Sequence, residues 1–101
     1  MKLWVDDVRP KPVGYTSGVS SVNEAKCWIK LMEVNSNHPI ELIDIDHDAG
    51  DFANDGGDYI KLLDWLEETG RNYPIRIHSM NPVGVENMRA IIQRNGWTEV
   101  K

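Results

Sequence analysis

Short apolar runs that stop at acids or histidines alternate along this chain with longer stretches in which apolar residues recur every three to four positions. Residues 2–5 form the first run, which breaks at Asp6-Asp7. The next stretch holds Pro10, Pro12 and Gly14; proline lacks the N–H that a helix needs, so a loop is expected there. Residues 15–19 read as a weak second strand. Ser21 and Glu24 have the spacing of a capping box. Val22, Ala25, Ile29 and Met32 then line one helical face, with Trp28 beside them, to an end near Val34. Residues 40–45 are a third strand that runs into Asp46-His47-Asp48. A loop over 49–57 precedes a second helix with a broad apolar face (Tyr59, Ile60, Leu62, Leu63, Trp65 and Leu66), and Gly70 is its natural cap. Residues 74–77 make a fourth strand ending at His78-Ser79. Asn81 as N-cap and Pro82 at the first helical position open a third helix, striped by Val85, Met88, Ile91 and Ile92 and closed by Asn95-Gly96. Residues 97–100 complete the pattern as a short edge strand.

Strands alternating with helices imply βα units and a parallel sheet. The 101 residues are the size of one domain, residues 1–101, and a core this small needs most of its apolar side chains. The four tryptophans are therefore expected to pack. The lone Cys27 rules out an internal disulfide framework; inside a helical pattern it reads as a small buried hydrophobe in a reducing compartment. No signal peptide is recognisable and no apolar run approaches membrane-spanning length, so a cytoplasmic protein without membrane association is expected. A net charge of −5 offers no pull toward a long polyphosphate, which argues against duplex DNA as partner. A small anionic ligand stays open if a metal ion or local basic groups neutralise it.

Ligands of open parallel sheets bind beyond the carboxyl ends of the strands. Asp6, Asp7, Asp46, His47, Asp48, His78, Ser79 and Asn81 all follow apolar runs, so they are expected on one rim. Carboxylates crowded together are costly unless a cation or a shared proton is present. One such pair reads as ordinary turn residues. Two pairs at neighbouring tips point to a cation site of Asp6, Asp7, Asp46 and Asp48, suited to Mg²⁺ with Mn²⁺ as its relative. Asp44 lies inside an apolar run and is expected to be a partly buried supporting group. Asp44, Asp46 and Asp48 also mimic the start of a calcium loop, but Ala49 stands where the turn needs glycine and Asp55 replaces the bidentate glutamate.

His47 and His78, beside carboxylates, form a candidate acid–base pair, because imidazole titrates near neutrality. The helix opening at Pro82 points free N–H groups at the rim, and Gly84 permits close approach; with Ser79, Asn81 and Asn87 this is a phosphate cradle. Its plainer reading is a capped helix start. Arg9 is a candidate clamp for an anion or a balance for the acids, and Arg89 is either a phosphate ligand or solvated. Walker loops, dinucleotide fingerprints, nucleophile elbows and cysteine-based zinc patterns are all missing.

Three segments, LWVDDVRP at 3–10, IDHDAG at 45–50 and IHSMNPVGVENM at 77–88, resemble the cyclic-phosphate-processing receiver domains, a divergent branch of the response-regulator receivers. The resemblance implies a flavodoxin-like three-layer sandwich with a five-stranded, mainly parallel sheet of order 2-1-3-4-5 and a reduced first helix. It also implies that Asp6, Asp7 and Asp46 hold a divalent cation, that Ser79 matches the receiver hydroxyl, and that His47 and His78 act on cyclic phosphates. The chain departs from ordinary receivers in the proline-containing loop, in Asp44, and near the last strand, where only Lys101 offers the usual lysine.

Two functions remain open on these residues. One is a hydrolase: a metal-dependent phosphodiesterase opening cyclic phosphates on nucleotides or RNA ends, with His47, His78 and Asp46 as catalytic groups. The other is a non-catalytic signalling module that binds phosphate or a cyclic nucleotide. The expected partner is a small phosphorylated ligand or an RNA end; no protein partner is indicated.

Overall fold

The computed structural model describes residues 1–35 and 37–101. Four short strands, β1 (Lys2–Val5), β2 (Ser17–Val19), β3 (Leu42–Ile45) and β4 (Ile75–Ile77), pair in parallel in the order β2-β1-β3-β4. Helices α1 (Val22–Asn35), α2 (Ile60–Glu68) and α3 (Pro82–Asn95) follow β2, β3 and β4, with a 3₁₀ turn at Gly50–Asn54. The helix ends obey the local chemistry. Ser21 Oγ accepts the Glu24 N–H at 3.0 Å, while the Glu24 carboxylate takes the N–H of Ser20 at 2.8 Å. Asn81 caps α3 by accepting the Gly84 N–H at 3.0 Å. Gly70 and Gly96 close α2 and α3 in the left-handed conformation, and the next residue's N–H reaches back to Leu66 and Ile92.

Side chains alternate across a strand, and register partners share a face. Leu3, Ile43 and Ile75 are one such row, and Val5, Ile45 and Ile77 another. These odd-numbered residues join Val22, Ala25 and Ile29 of α1, Leu62, Leu63 and Leu66 of α2, and Met88, Ile91 and Ile92 of α3 in one core. All three helices therefore lie on the same side of the sheet. The even-numbered row, Gly18, Trp4, Asp44 and Arg76, faces the other way. No helix covers that face among the described residues. Residues 6–16 fold over it instead, as a strap: Trp4 Nε1 donates to the Arg9 carbonyl at 3.0 Å, and the Tyr15 ring meets Trp4 edge-on at 5.5 Å. Two prolines keep the strap from coiling, so the expected three layers become two layers and a strap.

The sheet also has four strands rather than five. Residues 97–100 run beside β4 but form only an isolated bridge, Ile75 to Glu99. Trp97 is buried in the core and its N–H closes α3 on Ile92, leaving Thr98 and Val100 to exchange two hydrogen bonds with Ile75. Cys27, expected to be buried, is exposed. It falls between Ala25 and Ile29 on the opposite flank of α1. Among the described residues, no helix is long and apolar enough to cross a membrane.

Candidate functional site

The parallel register carries Asp6, Asp46 and His78 one step beyond β1, β3 and β4. Ladder bonds persist past the strand ends, since the Asp6 N–H donates to Val19, that of Asp46 to Val5 and that of His78 to Ile45. The three side chains bring ligand atoms within 4.8 Å of one another, the one such group among the described residues. Asp6 is buried and each of its oxygens is engaged. Oδ1 accepts the N–H groups of Val8 and Arg9, both at 2.9 Å, and Oδ2 faces His78 Nε2 at 2.8 Å. Burial alone would raise the Asp6 pKa; the Arg9 and Val8 N–H groups, helped by His78, outweigh it and hold the carboxyl below its ordinary value.

His78 is clamped from three directions. Its Nδ1 lies 2.6 Å from Asp44, its Nε2 faces Asp6, and its ring stacks on Trp4 with centroids 3.9 Å apart. Each ring nitrogen thus faces a carboxylate oxygen, and the imidazole bridges Asp6 and Asp44. Asp44 is fully buried and also accepts from the Tyr15 hydroxyl and, at 2.9 Å, from Arg76. Its burial raises the carboxyl's pKa, but the bonds from His78, Tyr15 and Arg76 bring it below the usual range. The sequence signal for this network is a register: Trp4, Asp44 and Arg76 are neighbours across three strands on the face without helices. Only pairing the strands exposes it.

His47 stands apart from that clamp. Its Nδ1 lies 2.9 Å from Asp48 Oδ1 and 3.4 Å from the Asn81 side-chain nitrogen; among the described residues, Nε2 makes no hydrogen bond. Its ring rests against α3 at Gly84, where an added Cβ would lie 2.5 Å from the ring carbon Cγ. Gly84 is thus needed for contact with His47, whereas the sequence pattern suggested room for an anion. Asn81 spans both roles, capping α3 with its oxygen while its nitrogen faces His47 and, at 3.5 Å, Asp48. Ser79 Oγ accepts the Asn81 N–H at 3.1 Å.

Other expected site residues are placed as follows. Asp7 is half-buried beside Gly50, whose positive φ and missing side chain accommodate it; a Cβ there would lie 2.4 Å from Asp7 Oδ2. Asp7 and Asp48 lie outside the three-residue cluster, Asp48 being exposed and turned to His47. Arg9 reaches across to the tip of β4 and donates to the His78 carbonyl at 3.0 Å. Asn87 is exposed on α3. Arg89 is tied to Glu99 by three hydrogen bonds, and Lys101 approaches the same carboxylate at 3.2 Å.

The model of the cyclic-phosphate processing receiver domain matches residues 1–94, a span that contains every strand and the whole site. The chain belongs to this family. Neither a curated protein nor a solved structure matches it significantly.

Two carboxylates converging at a sheet edge suit a hard divalent cation, which oxygen atoms bind best. Asp6 and Asp46 can supply them. Asp6 Oδ2 keeps a lone pair beyond its contact with His78, whereas each His78 nitrogen has one bonding direction and both already face carboxylates. Beneath the acids lies Tyr59, fully buried, whose hydroxyl donates to the Ser20 carbonyl at 2.7 Å. Burial, reinforced by Asp7, Asp6 and Asp46, pushes its pKa upward and keeps it neutral. Sequence pattern alone counts Tyr59 as one more residue on an apolar helical face.

Proposed function

We propose that the domain hydrolyses cyclic phosphates, on nucleotides or RNA ends, with the help of a divalent cation held by Asp6 and Asp46. The observation that carries this reading is the division of labour between the two histidines. The His78 side chain is mostly covered and is bonded through both ring nitrogens to carboxylates. His47 has one nitrogen oriented by Asp48, and the other makes no hydrogen bond among the described residues. A carboxylate on Nδ1 fixes the ring and favours Nε2 as the atom that exchanges a proton.

In this reading His47 Nε2 accepts a proton from the attacking water and returns it to the leaving oxygen. Asp48 orients the ring, and Gly84 gives it a seat. Arg9, Ser79 and Asn81 orient the phosphate, with Asn87 at the outer edge of the cradle. A bound Mg²⁺ or Mn²⁺ would polarise the phosphoryl oxygens. His78 bridges Asp6 and Asp44 and keeps Asp6 in place. Family membership supports the substrate class, because the family is described as processing cyclic phosphates.

The test is turnover of 2′,3′- and 3′,5′-cyclic nucleotides with Mg²⁺ or Mn²⁺. Ring opening is expected with wild type and lost in His47→Ala, which still binds the metal. No turnover across the panel by metal-loaded protein would overturn the hydrolase and leave a binding module.

A further inference from the structure

We infer that the cleft along the strap seats a second anionic group of the substrate, apart from the cyclic phosphate. The inference rests on the cyclic-phosphate reading and names a narrower substrate class within it.

The cleft has a volume of about 380 Å³ and opens beside the acids. Asp6 and Asp7 line one end, Arg9 and Lys11 the strap side, and Gly18 and Ser20 the edge of β2. Its arginine differs from the others in the chain, and its lysine, like Lys26 and Lys30, has no ion pair among the described residues. Of five arginines, Arg71, Arg76, Arg89 and Arg94 each grip a carboxylate. Arg9 and Lys11 touch only backbone carbonyls among the described residues, those of His78 and Tyr15. In a chain of net charge −5, two cations left without carboxylates beside an acidic cluster retain their charge for a ligand.

Their placement is also rigid. Lys11 stands between Pro10 and Pro12, and proline fixes its own φ and restricts the residue before it. Its stem lies along Gly18, which presents no side chain; a Cβ there would sit 3.4 Å from Lys11 Cβ. The strap is fastened at Asp6, Trp4 and the Tyr15–Pro12 turn. Arg9 points to the β4 tip while Lys11 lies toward β2, so the two mark separate anion positions on either side of Asp6. The cyclic phosphate belongs with Arg9, beside His78 and the start of α3. A 5′-phosphate, or the next phosphodiester of an RNA end, then falls at Lys11.

Calorimetric titration of metal-loaded His47→Ala protein, which should bind cyclic phosphates without opening them, tests this with three probes: adenosine 2′,3′-cyclic phosphate, the same compound bearing a 5′-phosphate, and a diadenosine ending in a 2′,3′-cyclic phosphate; the Lys11 and Lys30 variants are made in the same background. The 5′-phosphorylated probe is expected to bind about tenfold tighter than the plain one, as a charge-assisted contact would give. A matching gain for the dinucleotide identifies an RNA end as the source of the anion, and its lack identifies a free 5′-phosphate. In Lys11→Ala the probes should bind within about twofold of one another, whereas Lys30→Ala on α1 should keep the difference. Equal affinities with Lys11 intact, or the same loss on adding Lys30→Ala, would overturn the second seat alone. Failure of all three probes to bind would overturn the cyclic-phosphate reading and this inference with it.

Discussion

The ring of His78 lies flat on Trp4, centroids 3.9 Å apart and planes within 4°, while its two nitrogens reach Asp6 and Asp44. A side chain fixed on its face and at both nitrogens is a structural clamp. Removing it leaves two carboxylates poorly matched in the interior. His78→Ala should destabilise the domain by about 3–5 kcal/mol, the cost of breaking a buried ion pair. Urea denaturation measures this; a loss within the range of an exposed substitution would show that the clamp is slack.

His47→Ala should behave differently. The ring is largely covered where it rests on Gly84, but it lies outside the Asp6–His78–Asp44 clamp, so its loss should lower the melting point less than His78→Ala does. Turnover of a cyclic phosphate should fall by about 10²–10⁴-fold, the usual contribution of a positioned acid–base group. Steady-state kinetics and thermal melts on the same preparation separate the two effects.

Gly84→Ala tests the seat of that ring. The added methyl would lie 2.5 Å from His47 Cγ, so either the ring or the first turn of α3 must shift. The expected cost is about 1–3 kcal/mol of overpacking, with turnover reduced although no polar group has been removed. Circular dichroism checks that the helices persist.

The carboxyls of Asp6 and Asp44 are both held below their ordinary value of 3.8. The unfolded chain then takes up protons before the native state does, so stability falls as the solution becomes more acidic. Their stabilising effect should be complete above the ordinary value and disappear as pH drops through the lowered native values. Urea midpoints measured downward from about pH 6 should show it. Asp44→Asn should flatten that dependence and cost about 2 kcal/mol near neutrality, because its partners lose a charged acceptor.

The cation reading makes a prediction of its own. Asp46→Asn should weaken Mg²⁺ or Mn²⁺ binding without disturbing the His78 clamp, which contains no Asp46 atom. Metal titration followed by tryptophan fluorescence provides the measurement. Unchanged affinity would remove Asp46 from the ligand set.

Much of this architecture was legible because it depends on local rules. The Ser21 and Asn81 caps, the left-handed Gly70 and Gly96, and the apolar faces of the three helices follow from side-chain chemistry within a few residues. The acids after β1 and β3 were legible for the same reason, since a strand that stops at Asp6 or Asp46 delivers it to the rim. What escaped depended on contacts between distant segments. Asp44 pairs with Arg76 across a register, Tyr15 reaches it from the strap, and Gly84 serves His47 across 37 positions of sequence. The fifth strand was misjudged because the burial of Trp97 competes with edge pairing, and periodicity does not decide that contest.

Asp6 does two jobs with its two oxygens: one anchors the Val8 and Arg9 amides, the other meets His78. Occupancy of the rim and order in the strap are thereby coupled through a single carboxylate. Hydrogen exchange at those two amides should report on whatever binds above them, which gives the domain a readout that needs no label and no substrate.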